Sequence, residues 1–116
     1  MDVETVRAYC LEKNGVSEGF PFDLTTLVFK VGGKMFLLMS LDGIPPSIAV
    51  KTEPSWSEEL RESHSEIQGA YHMNKTHWNS VQLEGLPKDL IFRLIDHSYE
   101  LILSQFSKKK REEFGY

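Results

Sequence analysis

Val28-Phe29-Lys30-Val31-Gly32-Gly33-Lys34-Met35-Phe36 decides the fold. β-branched and aromatic residues run up to a glycine pair and away from it, and two glycines supply the positive φ angles that a two-residue hairpin turn requires. Lys30 and Lys34 flank that turn. A second stretch, Tyr71-His72-Met73-Asn74-Lys75-Thr76-His77-Trp78, reads in the same way. Asn tolerates the left-handed conformation of a reversal, so Asn74-Lys75 is the expected turn between an aromatic run and a Trp-containing strand. The chain thus offers two tight hairpins with basic, aromatic edges.

Outward from the first hairpin, residues 25 to 31, 34 to 40 and 47 to 51 form three strands, the last two separated by Asp42-Gly43-Ile44-Pro45-Pro46. Upstream, Asp2 caps a helix over residues 3 to 13, with Val3, Val6, Tyr9 and Cys10 at helical spacing, until Asn14-Gly15 ends it. Residues 15 to 23 read as a loop pinned to the core by Phe20 and Phe22. Downstream, Ser55-Trp56-Ser57-Glu58 fits a capping box that opens an acidic helix running to about Gln68. Strands near residues 71 to 73 and 77 to 83 follow. Pro87 then begins the clearest helix, with Leu90, Ile91, Leu94, Ile95, Leu101, Ile102 and Phe106 on one face and Lys108 to Arg111 near its negative end. The expected fold is a single α+β domain over residues 1 to 116, ordered α-β(3)-α-β(2)-α, with a five-stranded antiparallel sheet packed against helices.

Length and composition agree with one domain. The 116 residues suffice for one core and are too few for two, and 41% hydrophobic with 26% charged residues is ordinary for a globular chain. No apolar run approaches the ~20 residues that span a bilayer, which excludes membrane insertion by a helix. Met1-Asp2-Val3-Glu4 lacks the positive region and apolar core of a secretory signal, so the expected location is the cytoplasm. A lone Cys10 permits no internal disulfide. The net charge of −4 is unevenly spread. Residues 24 to 52 and 69 to 82 hold four lysines against Asp42 alone, three positive charges, which leaves minus seven on the rest. Such a molecule orients a charged partner even though its total is negative.

With the elements in this order the chain resembles the MmcQ/YjbR family of small bacterial α+β proteins. The resemblance rests on Val28 to Phe36, on Tyr71 to Trp78 and on the Ser98-Tyr99 pair, and runs over essentially the whole chain. It implies a double-wing arrangement, a fold related to that of type III secretion chaperones, and DNA as the partner.

Candidate site residues follow from the two hairpins. Lys30, Lys34, Lys51 and Lys75 are the residues to neutralise phosphates, although edge-strand lysines also serve to prevent aggregation. Strand alternation sets His77 and Trp78 on opposite faces, with Trp78 the expected core member, its indole seeking a partner. His72 and His77 are the stronger histidine candidates, and Trp78 offers a face for base stacking. Metal binding is not expected, because the four histidines and Cys10 show no ligand spacing. Cys10 lies on an apolar helix face and reads as a small hydrophobe rather than a nucleophile. Gly32-Gly33-Lys34 lacks the spacing of a phosphate loop. The sequence therefore points to a non-enzymatic protein without cofactor that grips DNA with two basic hairpins. The alternative is a protein-interaction or chaperone-like module that binds a peptide or dimerises through its sheet or helices.

Overall fold

Gly32 and Gly33 take φ values of +58° and +83° and close the expected two-residue turn. In the computed structural model, which describes residues 1 to 70 and 73 to 115, that turn joins β2 (Thr26–Val31) to β3 (Lys34–Ser40). β4 (Ser47–Lys51) pairs with β3, and β6 (Trp78–Gln82) with β4. β5 (Ile67–Gly69) forms one edge and β1 (Val16–Gly19) the other, so the order is β1-β2-β3-β4-β6-β5, antiparallel throughout.

Alternation assigns one face of this sheet to the core. Leu27, Phe29 and Val31, Leu37 and Met39, Ile48 and Val50, and Val81 all point to that side and are buried. Phe29 pairs with Leu37 but Lys30 with Met35, so Phe36 is an extra residue on β3. The bulge turns two consecutive side chains, Phe36 and Leu37, into the core, and both are fully buried. It also breaks the ladder between β3 and β4. Ser98 repairs the break, its hydroxyl accepting from the Lys51 N–H at 2.9 Å and donating to the Phe36 carbonyl at 2.5 Å.

Ser98 belongs to α3 (Lys88–Ser104), whose buried Ile91, Leu94, Ile95, Ser98, Tyr99 and Ile102 follow the three-and-four spacing of one helical face. α1 (Val3–Leu11) is capped by Asp2, which accepts the Thr5 N–H at 2.8 Å, and buries Val6 and Cys10 in the same core. α2 (Pro54–Ser63) adds Leu60, and its Glu58, Glu59 and Glu62 face solvent. All three helices lie on the core side. Among the described residues no helix covers the opposite face.

Several boundaries differ from the sequence reading. β1 is a sixth strand where a loop is expected, because Val-Ser-Glu-Gly carries no alternation; it is held by the β2 ladder and by Arg7, which grips Glu18. Phe20 and Phe22 do not pin the segment before β2 to the core and are 46% and 64% exposed. α2 starts at Pro54, with Glu53 rather than Ser55 at its cap, since proline at the first helical position presets φ and needs no N–H partner. The strand expected near residues 71 to 73 falls on Tyr71 and His72, which lie outside the described residues; the acidic helix expected to reach Gln68 ends at Ser63, and Ile67–Gly69 form β5 instead. α3 ends at Ser104, so Lys108 to Arg111 do not sit on its last turn. They form a separate short helix, α4 (Lys108–Glu112), capped by the Ser107 hydroxyl.

Candidate functional site

The uncovered face is organised in rows set by the register. Gly19, Val28, Leu38, Ala49, Ser80 and Gln68 pair in turn across all six strands. Toward the loop end, Thr26, Ser40, Ser47 and Gln82 form the next row. Toward the hairpin end, Ser17 pairs with Lys30, Lys30 with Met35, and Lys51 with Trp78. From these rows Leu38, Ala49, Ser80, Thr26, Ser40, Ser47 and Met35, with two flanking segments, line a groove of about 750 Å3. Leu38, Met35 and Ala49 form its apolar floor, Phe22 and Asp23 one rim, and Ala70 and Met73 the other. The hydroxyls of Thr26, Ser40, Ser47 and Ser80 line it.

Apolar side chains gather in the open at the loop end. The segments before β2 and after β3 are tied by the Leu41 N–H to the Thr25 carbonyl at 2.8 Å. From them Phe22, Leu24 and Ile44 project with 64%, 86% and 98% of their surface exposed. Single exposed apolar residues need no explanation, whereas several beside an apolar groove add to one exposed apolar patch. The sheet face around the groove carries charge at both ends. Asp23 accepts the Thr25 and Thr26 amides at 2.9 and 2.7 Å, which holds its carboxyl below the ordinary value. Asp42 accepts from Ser40 at 3.2 Å at the same end, and Lys30 and Lys51 stand at the other.

The predicted site residues divide between the two faces. Lys30, Lys51 and Trp78 share the uncovered face. Trp78 is thus not the core member of its pair: β6 begins at Trp78, and its parity is fixed by Asn79 and Val81, which point to the helices. Lys34 is on the helix side, donating to Gln105 at 3.3 Å and lying 5.8 Å from the Phe106 ring centroid. The stem of Lys75 packs over Gly69, also on the core-side parity. His77 is half-buried in the turn before β6, and its carbonyl accepts the Thr52 N–H at 2.7 Å. His72 lies outside the described residues. The first hairpin is tight, but residues 70 to 77 make an eight-residue connection between β5 and β6 rather than a tight turn.

That connection is held by a residue the sequence reading passed over. Arg61 donates to the Asn79 side chain at 2.8 Å and to the carbonyls of Lys75 and Trp78. Asn79 in turn donates to Thr52 and Ser57 at 2.8 and 3.1 Å inside the core. A lone base in an acidic helix was the available signal. A second overlooked feature is the corner where the first hairpin meets α4. Lys110 donates to the Gly32 carbonyl at 3.2 Å and lies 4.4 Å from the centroid of the Phe106 ring that Lys34 also approaches. Lys34 and Lys110 thereby meet on one ring, although 76 positions separate them in the chain.

Cys10 is fully buried, and burial pushes its thiol up to about 12, away from the reactive thiolate. Among the described residues no three His, Cys, Asp or Glu side chains converge, and no helix is long and apolar enough to cross a membrane.

Fold and surface together define a one-sided α+β sheet protein, with helices on one face and an open, partly apolar groove on the other. The chain belongs to the YjbR family, whose model matches residues 11–101. It is 31% identical over 113 residues to the uncharacterized protein YjbR of Escherichia coli strain K12, covering 97% of this chain and 96% of that one. It is 36% identical over 111 residues to the uncharacterized protein YbdF of E. coli O157:H7, covering 94% and 90%. The crystal structure of Deinococcus radiodurans protein DR2400, of the DUF419 domain family, superposes with a TM-score of 0.93 at 39% identity over 97% of this chain and 87% of that one. A Pseudomonas syringae protein superposes with a TM-score of 0.76 at 27% identity over 87% and 98%.

Proposed function

We propose that this chain is a non-enzymatic protein-interaction module that holds its partner on the uncovered face of the sheet. The observation that carries the reading is the apolar groove with Phe22, Leu24 and Ile44 exposed at its end. Burying such surface in a partner is worth roughly 25 cal/mol per Å2, which favours a peptide or protein over a polyanion at this place. Backbone N–H and C=O groups of an extended ligand would be matched by the hydroxyls of the row Thr26, Ser40 and Ser47. Peptide display against the wild type, counter-selected with Leu38→Glu, tests it. Enriched peptides should bind the wild type at least about tenfold more tightly than the variant. No enrichment, or binding indifferent to the variant, would overturn the reading.

DNA binding is the second reading, and the cationic corner favours it. Its grip, however, would differ from two hairpins closing on a duplex, since Lys34 and Lys75 lie on the helix side and Lys30 and Lys51 on the other. Five cations, Lys34 with Lys108, Lys109, Lys110 and Arg111, make the corner the better contact for phosphates. If each neutralises one phosphate, alanine at all five lowers the salt slope of duplex binding by up to about 4.5. Equal binding by wild type and variant at low salt would end this reading.

A further inference from the structure

The charge distribution along the groove names a partner of a particular kind. The sheet face that holds it carries opposite sign at its two ends: Lys30 and Lys51 lie beyond the groove at the hairpin end, while Asp23 lines the groove and Asp42 sits beside Ser40 at the loop end. A surface of this kind is complementary to itself when one copy is reversed. Two sheets packed face to face by a twofold axis can be related in two ways. An axis parallel to the strands sets Lys30 and Lys51 of one copy at the same end as the same lysines of the other. An axis perpendicular to the strands, lying in the interface, reverses the strand direction and leaves the order of strands in place. Lys30 then meets the start of β2 in the partner, where Asp23 sits, and Lys51 meets the turn between β3 and β4, where Asp42 sits. The same reversal lays the exposed Phe22 and Leu24 of each copy toward Met35 of the other, while Leu38 and Ala49 meet near the axis. Opposed sheets with interdigitating side chains are an ordinary way to bury two such faces.

We infer that the uncovered face binds a second copy of this chain, as a twofold dimer whose axis runs across the strands and pairs the lysine end of each groove with the aspartate end of the other. The inference rests on the protein-interaction reading and selects the partner within it. Electrostatic register is what distinguishes it from non-specific apolar contact, because like charges facing one another suppress the alternative pairing.

Sedimentation equilibrium of the full chain and of two charge-reversal variants, Lys51→Glu and Asp42→Lys, tests it. Both positions are on the surface, and far-UV circular dichroism with thermal melting confirms that each variant folds. The wild type should dimerise in a concentration-dependent manner, and each variant alone should associate at least about tenfold more weakly. An equimolar mixture of the two variants should recover association, since in the mixed dimer the introduced acid meets the introduced base and the native Lys51 and Asp42 meet each other. A wild type monomeric up to about 1 mM, the weak limit of useful affinity, overturns the inference. So does a Lys51→Glu variant that associates more tightly, which would indicate the strand-parallel axis, or a mixture no tighter than its components. A monomeric wild type that still binds display-selected peptides removes only the dimer. Loss of both removes the parent reading as well.

Discussion

Gly32→Ala and Gly33→Ala form a matched pair that measures how firmly the first hairpin is wedged against the C-terminal segment. Both glycines are left-handed, and placing alanine there costs about 1 to 2 kcal/mol, offset in part by the smaller entropy of the unfolded chain. Gly33→Ala meets nothing within 4 Å, so its cost should stop near about 1 kcal/mol. At Gly32 the new methyl would sit 2.7 and 2.8 Å from Phe106 Cε2 and Cζ, with Phe114 Cζ at 3.2 Å. The Phe106 ring cannot simply yield, because it is buried and flanked by Lys110 and Phe114. Overpacking adds about 1 to 3 kcal/mol, for a total of about 2 to 4. At about 4 °C per kcal/mol for a domain of this size, Gly33→Ala should lower Tm by roughly 4 °C and Gly32→Ala by roughly 8 to 16 °C in calorimetry. Equal shifts would refute the wedge, and with it the joining of Lys34 to α4 in one cationic corner.

Ser98→Ala strands the Lys51 N–H and the Phe36 carbonyl together in the buried bulge, and should cost about 2 to 4 kcal/mol in urea unfolding. Leu37→Ala should cost about 2 to 5 kcal/mol and Leu38→Ala distinctly less, because these neighbours point to opposite faces and only Leu37 is fully buried. Burial raises the Cys10 thiol from 9.0 to about 12, so the folded state holds the proton that the unfolded chain releases first. That contribution to stability is complete below pH 9.0 and declines as pH rises through about 12, by up to about 4 kcal/mol. Cys10→Ala, although less stable at neutral pH, should show a flatter alkaline decline in urea titrations.

The hairpin at Gly32-Gly33, the apolar stripe of α3 and the positions of β2, β3, β4 and β6 were legible because each is a local pattern with a definite period. β1 was not, since an edge strand of Val-Ser-Glu-Gly is specified by its neighbour's ladder and not by its own residues. The β3 bulge hides in Met35-Phe36-Leu37, where an uninterrupted apolar run conceals which residue is extra. Surface chemistry was less legible still. Lysine count along the sequence pointed to one basic grip, but strand parity sends Lys30 and Lys51 to one face and Lys34 to the other. The groove itself had no sequence signature: Leu38 and Ala49 look like core residues until it is known that no described helix covers their side of the sheet.

The central claim, that the uncovered sheet face takes a protein partner, is tested most directly by photo-crosslinking in living bacteria. A benzoylphenylalanine replacing Leu38 samples the groove, and the same group replacing Glu59 samples the exposed side of α2. Crosslinks to protein from position 38, absent from position 59, are the expected result. Crosslinks equal at both positions, or none from position 38, would contradict the account.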